Sequence, residues 1–273
     1  YKKAIELNPF EEKYQKAVIV VAQEMAKSGD TEYRRQEFDA AIAFYKKSIN
    51  FNPNYTIAIF KLAKTYYKIA DYENTQIYLE HNLTIDTNHE QSEKMLGDIY
   101  SKKRDFDSAA EHYNKAIEIN ANYSQAHYSL GVLLFSSGKL LDARKSLNNA
   151  IIINPEYEKA YGALGKIEQE LGNYDLSIKN YLIAVDISPK LHEIHYRLSS
   201  VYNTTNQYDN AKLAAKKSIT IKHNYAPAYF ELGLSEKALG NKVAAIDAFN
   251  NAKKDNNWRK SAQFELDLIN KGL

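Results

Sequence analysis

Leu62, Leu96, Leu130, Leu164, Leu198 and Leu232 recur along the chain at a fixed interval of 34 residues. Each precedes a small residue: Ala63, Gly97, Gly131, Gly165, Ser199 and Gly233. A second row of small residues lies twelve positions on (Thr75, Ala109, Ala143, Ser177, Ala211, Ala245), and a third lies seven beyond that (Asn82, Ala116, Ala150, Ala184, Ser218, Ala252). Two antiparallel helices approach to about 8–10 Å only where the side chains at their crossing are short. Facing rows of small residues therefore predict a helical hairpin in every repeat. Between the helices fall Ser137-Gly138-Lys139, Gly172-Asn173 and Gly240-Asn241; between repeats fall Asn154-Pro155 and Ser188-Pro189, which end one helix and open another. Large apolar residues early in the second helix (Tyr72, Phe106, Leu140, Tyr174, Tyr208) and near its end (Ile85, Ile119, Ile153, Ile187, Ile221) are expected to pack one hairpin onto the next.

Residues 56–259 hold six such repeats without insertion. Upstream, the stretch from Lys27 is in register, yet Asn8-Pro9 and Asn52-Pro53 stand 44 residues apart, ten more than the period. The surplus predicts an extended repeat over residues 12–55, its first helix running from about Glu12 to Arg35, with a break at Ser28-Gly29-Asp30 as the alternative. Residues 1–11 have the pattern of a half repeat, the second helix of a hairpin, which implies a longer array. Residues 260–273 keep Leu266 but put Asp267 where glycine belongs, as expected of a capping helix whose outer face meets water, with Gly272 as its C-cap. Thr75, Asn82 and Thr87 depart from the pattern and predict looser packing over residues 56–89.

The order L-G-x-x-Y, then A, Y/F, A and P, clearest at residues 96–120, resembles the tetratricopeptide repeat. The resemblance extends over nearly the whole chain. It implies an all-α fold, a right-handed superhelical α-solenoid of antiparallel helix pairs. It also implies a binding surface, because in that family the second, fifth, sixth, ninth, twelfth and thirteenth positions of each first helix line a concave groove. Here that stripe presents Phe60, Tyr67, Tyr128, Phe135, Tyr196 and Phe230 beside Lys61, Lys64, Lys68, Lys94, Lys102, Lys159, Lys166, Arg197 and Lys237. The extended hairpin adds Lys27, Tyr33 and Arg34, and the acidic members are Asp30, Asp98, Glu170, Glu193 and Glu231. Eleven basic residues against five acidic ones make this the basic face of the chain. Rings as anchors and lysines as steering charge suit an extended or helical, acidic segment of a partner protein.

Composition narrows the classes. With 44% apolar and 26% charged residues, ten glycines and five prolines, the chain is ordered and helix-rich. A net charge of +2 supplies no bulk attraction to nucleic acid. The absence of cysteine removes disulfides and thiolate metal sites and leaves the compartment open. The longest apolar run, Ala17 to Ala22, falls far short of the roughly 20 residues that span a bilayer, so no membrane insertion is expected.

Gly131 with Gly138-Lys139 imitates a phosphate-binding loop, but the spacing is two residues too long and Leu140 replaces the metal-holding Ser or Thr. His192 and His195 could share a helix face as metal ligands. However, His127 and His195 fill the repeat position that Tyr161 and Tyr229 take elsewhere, which favours packing. With no H-E-x-x-H, G-x-S-x-G or dinucleotide fingerprint, no catalytic residue, metal or cofactor is expected. The Asn-x-Ser/Thr triplets at Asn54, Asn82, Asn122 and Asn203 matter only in a glycosylating pathway.

Two sharper family functions fail residue by residue. A chaperone-type carboxylate clamp would meet Asp30 or Asp98, which repel an anion, and an asparagine ladder before the leucines is replaced by Lys61, Met95, Ser129, Ala163, Arg197 and Glu231. The sequence thus reads as a non-enzymatic protein-interaction scaffold or adaptor. Single-stranded nucleic acid in the same groove, or a regulatory module of a larger enzyme, are the alternatives.

Overall fold

The computed structural model describes residues 12–272, so the half repeat read at residues 1–11 lies outside the described residues. Among these there are fifteen α-helices and no strand. The first hairpin is α1 (Glu12–Arg34) with α2 (Phe38–Phe51). α1 continues without a break through Ser28-Gly29-Asp30. Two hairpins follow, α3 (Thr56–Lys68) with α4 (Tyr72–Ile85) and α5 (Glu90–Lys102) with α6 (Phe106–Ile119); then come the helices α7 (Ser124–Ser136) and α8 (Leu140–Ile153), and after them three hairpins, α9 (Glu158–Glu170) with α10 (Tyr174–Ile187), α11 (His192–Thr204) with α12 (Tyr208–Ile221), and α13 (Ala226–Ala238) with α14 (Lys242–Ala252). A last helix, α15 (Arg259–Asn270), packs Ala262, Leu266 and Ile269 onto α14 while Asp267 stays exposed. The chain forms two compact units, one ending at Leu133 and one beginning at Leu134, and each is built from helical hairpins packed side by side.

Local chemistry closes both kinds of turn. In the loops between hairpins, Asn52, Asp86, Asn120 and Asn154 each accept a hydrogen bond through Oδ1 from the backbone N–H two residues on. These Asx turns explain the polar residue that ends each helix. Within the hairpins, the turn requires one residue in the left-handed region, at positions 34 residues apart. Gly138, Gly172 and Gly240 occupy it with φ of 76°, 77° and 79°, but so do Gln36, Ala70, Arg104 and Asn206 at 66°, 62°, 62° and 59°. A Cβ in this region crowds the following carbonyl and costs about 1–2 kcal/mol. Ala70→Gly should therefore raise stability by about 1 kcal/mol, offset in part by the greater freedom of glycine in the unfolded chain. An unchanged urea midpoint would mean that the strain is relieved elsewhere.

The two rows of small residues on the second helices, from Thr75 to Ala245 and from Asn82 to Ala252, are fully buried at 0% exposure. Where a row carries a hydroxyl, it is used: Ser177 Oγ donates to the Gly165 carbonyl at 2.7 Å and Ser218 Oγ to that of His192 at 2.7 Å. The looser packing expected over residues 56–89 is not found, since Thr75 and Asn82 are as buried as their counterparts. Its cost appears instead as an unpaired Asn82 Oδ1, although Asn82 Nδ2 reaches Ser92 Oγ at 3.0 Å.

The large-residue rows hold in part, for Tyr72 packs against the cluster of Leu79, Leu96 and Ile99. Phe106 and Tyr174 remain more than a third exposed. The deepest aromatic side chains are Tyr45, Tyr113, Tyr181 and Phe249, which lie 68 residues apart, in every second hairpin. Each faces a glycine of its partner helix, at Gly29, Gly97, Gly165 and Gly233, where an added Cβ would come within 2.6 Å or less of the ring. The intervening hairpins place Ala63 and Leu79 in the first unit, and Ser199 and Ala215 in the second, at the same positions. A long ring against no side chain thus alternates with a shorter side chain, so packing repeats every two hairpins.

Candidate interaction surface on the first helices

In the first unit the tyrosines that pass beneath Gly29 and Gly97 end at aspartates. Tyr45 Oη donates to Asp30 Oδ1 at 2.8 Å, and Lys61 Nζ reaches Asp30 Oδ2 at 2.6 Å. Two repeats on, Tyr113 Oη donates to Asp98 Oδ1 at 2.9 Å, and Lys94 Nζ reaches Asp98 Oδ2 at 2.7 Å. Burial and the neighbouring carboxylates push both tyrosine hydroxyls far above their ordinary value.

Around these pairs stands an aromatic shelf. Lys64 Nζ lies 5.9 Å from the Tyr33 ring, while Lys102 Nζ lies 5.9 Å from Tyr67 and 5.5 Å from Tyr72, rings that meet edge to face at 5.6 Å. Burial, with Asp98 second, raises the Tyr67 hydroxyl to about 12. Phe60 tilts against His89 at 4.8 Å, Tyr128 is half-buried, and Lys68 is exposed.

The second unit is arranged differently. Lys166 Nζ sits 4.5 Å from the Phe135 ring, and Lys159 is exposed. Tyr196 meets Tyr225 edge to face at 5.7 Å, and Arg197 is bound to Glu193 at 2.7 Å. Phe230 is wedged between Phe249 and Trp258 at 5.5 and 5.0 Å, and Lys237 is held by Glu265 at 3.1 Å. Phe230 therefore belongs as much to the terminal core as to a surface.

The sequence profile described as "TPR repeat" matches residues 29–69 and 97–138, and that described as "Tetratricopeptide repeat" matches residues 158–191 and 192–225, together more than half of the chain. The chain belongs to the tetratricopeptide repeat family. Among solved structures, this tetratricopeptide protein is 25% identical to MamA, at a TM-score of 0.56 over 60% of this chain and 90% of that one. It is 16% identical to a tetratricopeptide repeat protein from Parabacteroides merdae, at a TM-score of 0.63 over 91% and 98%. It is 18% identical to YrrB, described as a tetratricopeptide protein with an unusual peptide-binding site, at a TM-score of 0.55 over 67% and 95%. No curated protein matches in sequence. The repeats support a protein-protein interaction scaffold, in a family that is generally non-enzymatic, with proteins or peptides as partners.

Within this tetratricopeptide chain, the count of basic stripe residues overstates the charge on offer. Lys27, Lys61, Lys94, Arg197 and Lys237 are bound to Glu24, Asp30, Asp98, Glu193 and Glu265. Among the described residues, Lys64, Lys68, Lys102, Lys159 and Lys166 have no carboxylate partner. The Lys61 and Asp30 pair could not be read from spacing, because they stand 31 residues apart on different helices.

The histidines have structural partners. His127 and His195 each bring Nε2 to the carbonyl six residues earlier, of Ala121 at 3.1 Å and Pro189 at 3.0 Å, and His192 meets Tyr225 edge to face. Gly131 is buried in its helix and Gly138 lies in a turn, so they form no phosphate loop. Of the Asn-x-Ser/Thr triplets, Asn54 and Asn122 lie in exposed loops, whereas Asn82 is fully buried. No helix among the described residues is long and apolar enough to cross a membrane.

Proposed function

We propose that this tetratricopeptide scaffold binds an extended or helical, acidic segment of a partner protein on the first-helix face of its first unit. The reading rests on Lys64, Lys68 and Lys102, which have no carboxylate partner; Lys64 stands beside Tyr33 and Lys102 beside Tyr67 and Tyr72, while Lys68 is exposed. Lysines attract an anion from a distance, and partly buried rings give it apolar area once it arrives. The peptide-binding site named for YrrB supports a peptide as partner class through likeness of fold alone. Phe60, Tyr128 and the paired Lys61 and Lys94 flank this surface as secondary contacts, and Phe135 with Lys166 repeats its chemistry in the second unit.

Surface plasmon resonance with a panel of acidic peptides tests the reading. Changing Lys64, Lys68 and Lys102 together to Glu should slow association and flatten its dependence on ionic strength without altering the melt. Tyr67→Ala should mainly speed dissociation. Reversing the exposed outer pair Glu111 and Lys115 should change nothing. Binding that ignores the groove variants and responds to the outer pair would overturn the assignment, and tighter retention of poly-U than of any peptide would replace the partner class with single-stranded nucleic acid.

A further inference from the structure

A pocket of about 370 Å³ in the second unit is lined by Ser200, Asn203, Thr204, Tyr208, Glu231, Leu234 and Ala238, from α11, the start of α12 and α13. Glu231 is only 7% exposed. Asn203 Nδ2 donates to Glu231 Oε2 at 2.8 Å and to the Glu231 carbonyl at 2.9 Å. No cation among the described residues pairs with this carboxylate, since the nearby Arg197 is bound to Glu193 and Lys237 to Glu265. Burial raises its pKa, and bonds from Asn203 and Ser200 offset this only in part.

A buried carboxylate without a counter-ion is a standing cost to stability, and such groups in clefts mark binding sites. The other near-buried glutamates of this unit are not in that position, because Glu168 has Arg144 at 3.8 Å and Glu236 has Lys212 at 3.0 Å. We propose that the pocket binds the ammonium group of a lysine side chain presented by a partner polypeptide, with Glu231 as its counter-ion and Leu234 and Ala238 against its methylene stem. The hydroxyls of Ser200 and Thr204 add acceptors for an ammonium, which has three donors and no acceptor. A divalent cation fits poorly, as six or so oxygen ligands would have to gather around one carboxylate. The proposal concerns the opposite charge on the other unit, so it stands apart from the acidic-segment reading.

The probe is N-acetyl-lysine methylamide, titrated to millimolar concentration into the full chain and followed by NMR at the Asn203 side-chain amide and the Leu234 methyls. Saturable shifts are expected for this probe and not for the norleucine or Nε-acetyl-lysine counterparts. Glu231→Gln, which keeps the shape and the Asn203 bond, should weaken binding roughly tenfold or more. Ala238→Phe, at an exposed position, should block the pocket while leaving the melt unchanged. Absent shifts, equal shifts for norleucine, or undiminished binding by Glu231→Gln would each overturn the proposal. Equal binding of the arginine counterpart would overturn lysine as the occupant.

Discussion

Tyr113→Ala should cost about 3–5 kcal/mol, the usual loss for a large buried aromatic ring, and Gly97→Ala should cost about 1–3 kcal/mol by overpacking against that same ring. Tyr113 is 3% exposed, packs with Ala109 and Leu133, and is pinned at its far end by the bond to Asp98. An added Cβ on Gly97 would stand 2.6 Å from Tyr113 Cδ1, and the pinned ring has nowhere to retreat. The preceding hairpin places Ala63 and Leu79 at the same two positions, both fully buried. The double substitution Gly97→Ala with Tyr113→Leu should therefore be less destabilising than the two single changes added together. Because a repeat array need not unfold in one step, hydrogen exchange of the α5 and α6 amides is the suitable measure beside urea melts. Strict additivity would mean that the glycine and the ring do not constrain each other.

The period, the leucines and both rows of small residues were legible because each is a local rule applied at a fixed spacing, and repetition multiplies a weak signal. The left-handed turn at Ala70 and Arg104 was not legible, because these residues give no sign of the conformation that the hairpin imposes on them. Glycine at three of the seven equivalent positions was the available clue. The 68-residue alternation was present in the letters, yet Tyr45, Tyr113 and Tyr181 gain meaning only beside the glycines they cover. The candidate surface was legible in outline and misjudged in strength, because the stripe follows from helical spacing whereas ion pairing depends on how neighbouring helices cross. Lys61 and Lys94 differ in position along their helices, yet both neutralise an aspartate at the ninth position of a stripe.

Glu231 and Glu236, both on α13, should give opposite pH responses. Glu236 is 3% exposed; burial opposes its ionisation, but hydrogen bonds from Lys212 and Asn241 and the charges of Lys212 and Lys216 outweigh it and hold the pKa below the ordinary value. A lowered carboxylate contributes stability that is present above its unfolded pKa and is lost as pH falls through the folded one. Lys212→Met removes the nearer ammonium, at 3.0 Å, and should cost about 1–3 kcal/mol at neutral pH. The deficit should close only as the pH falls below the ordinary carboxylate range, through the lowered folded pKa, and the carboxylate protonates. Lys216→Met, at 3.7 Å and more exposed, should cost less. For Glu231 the sign reverses: its raised pKa gives stability that is present below the unfolded value and is lost as pH rises through the folded one. Glu231→Gln should accordingly be more stable than the parent chain at neutral pH and indistinguishable from it in acid. Urea unfolding at several pH values, followed through the α13 and α14 amides, separates the two slopes. A Lys212→Met deficit that stays constant from neutral pH down to acid would mean that the lysine acts by packing and not by charge.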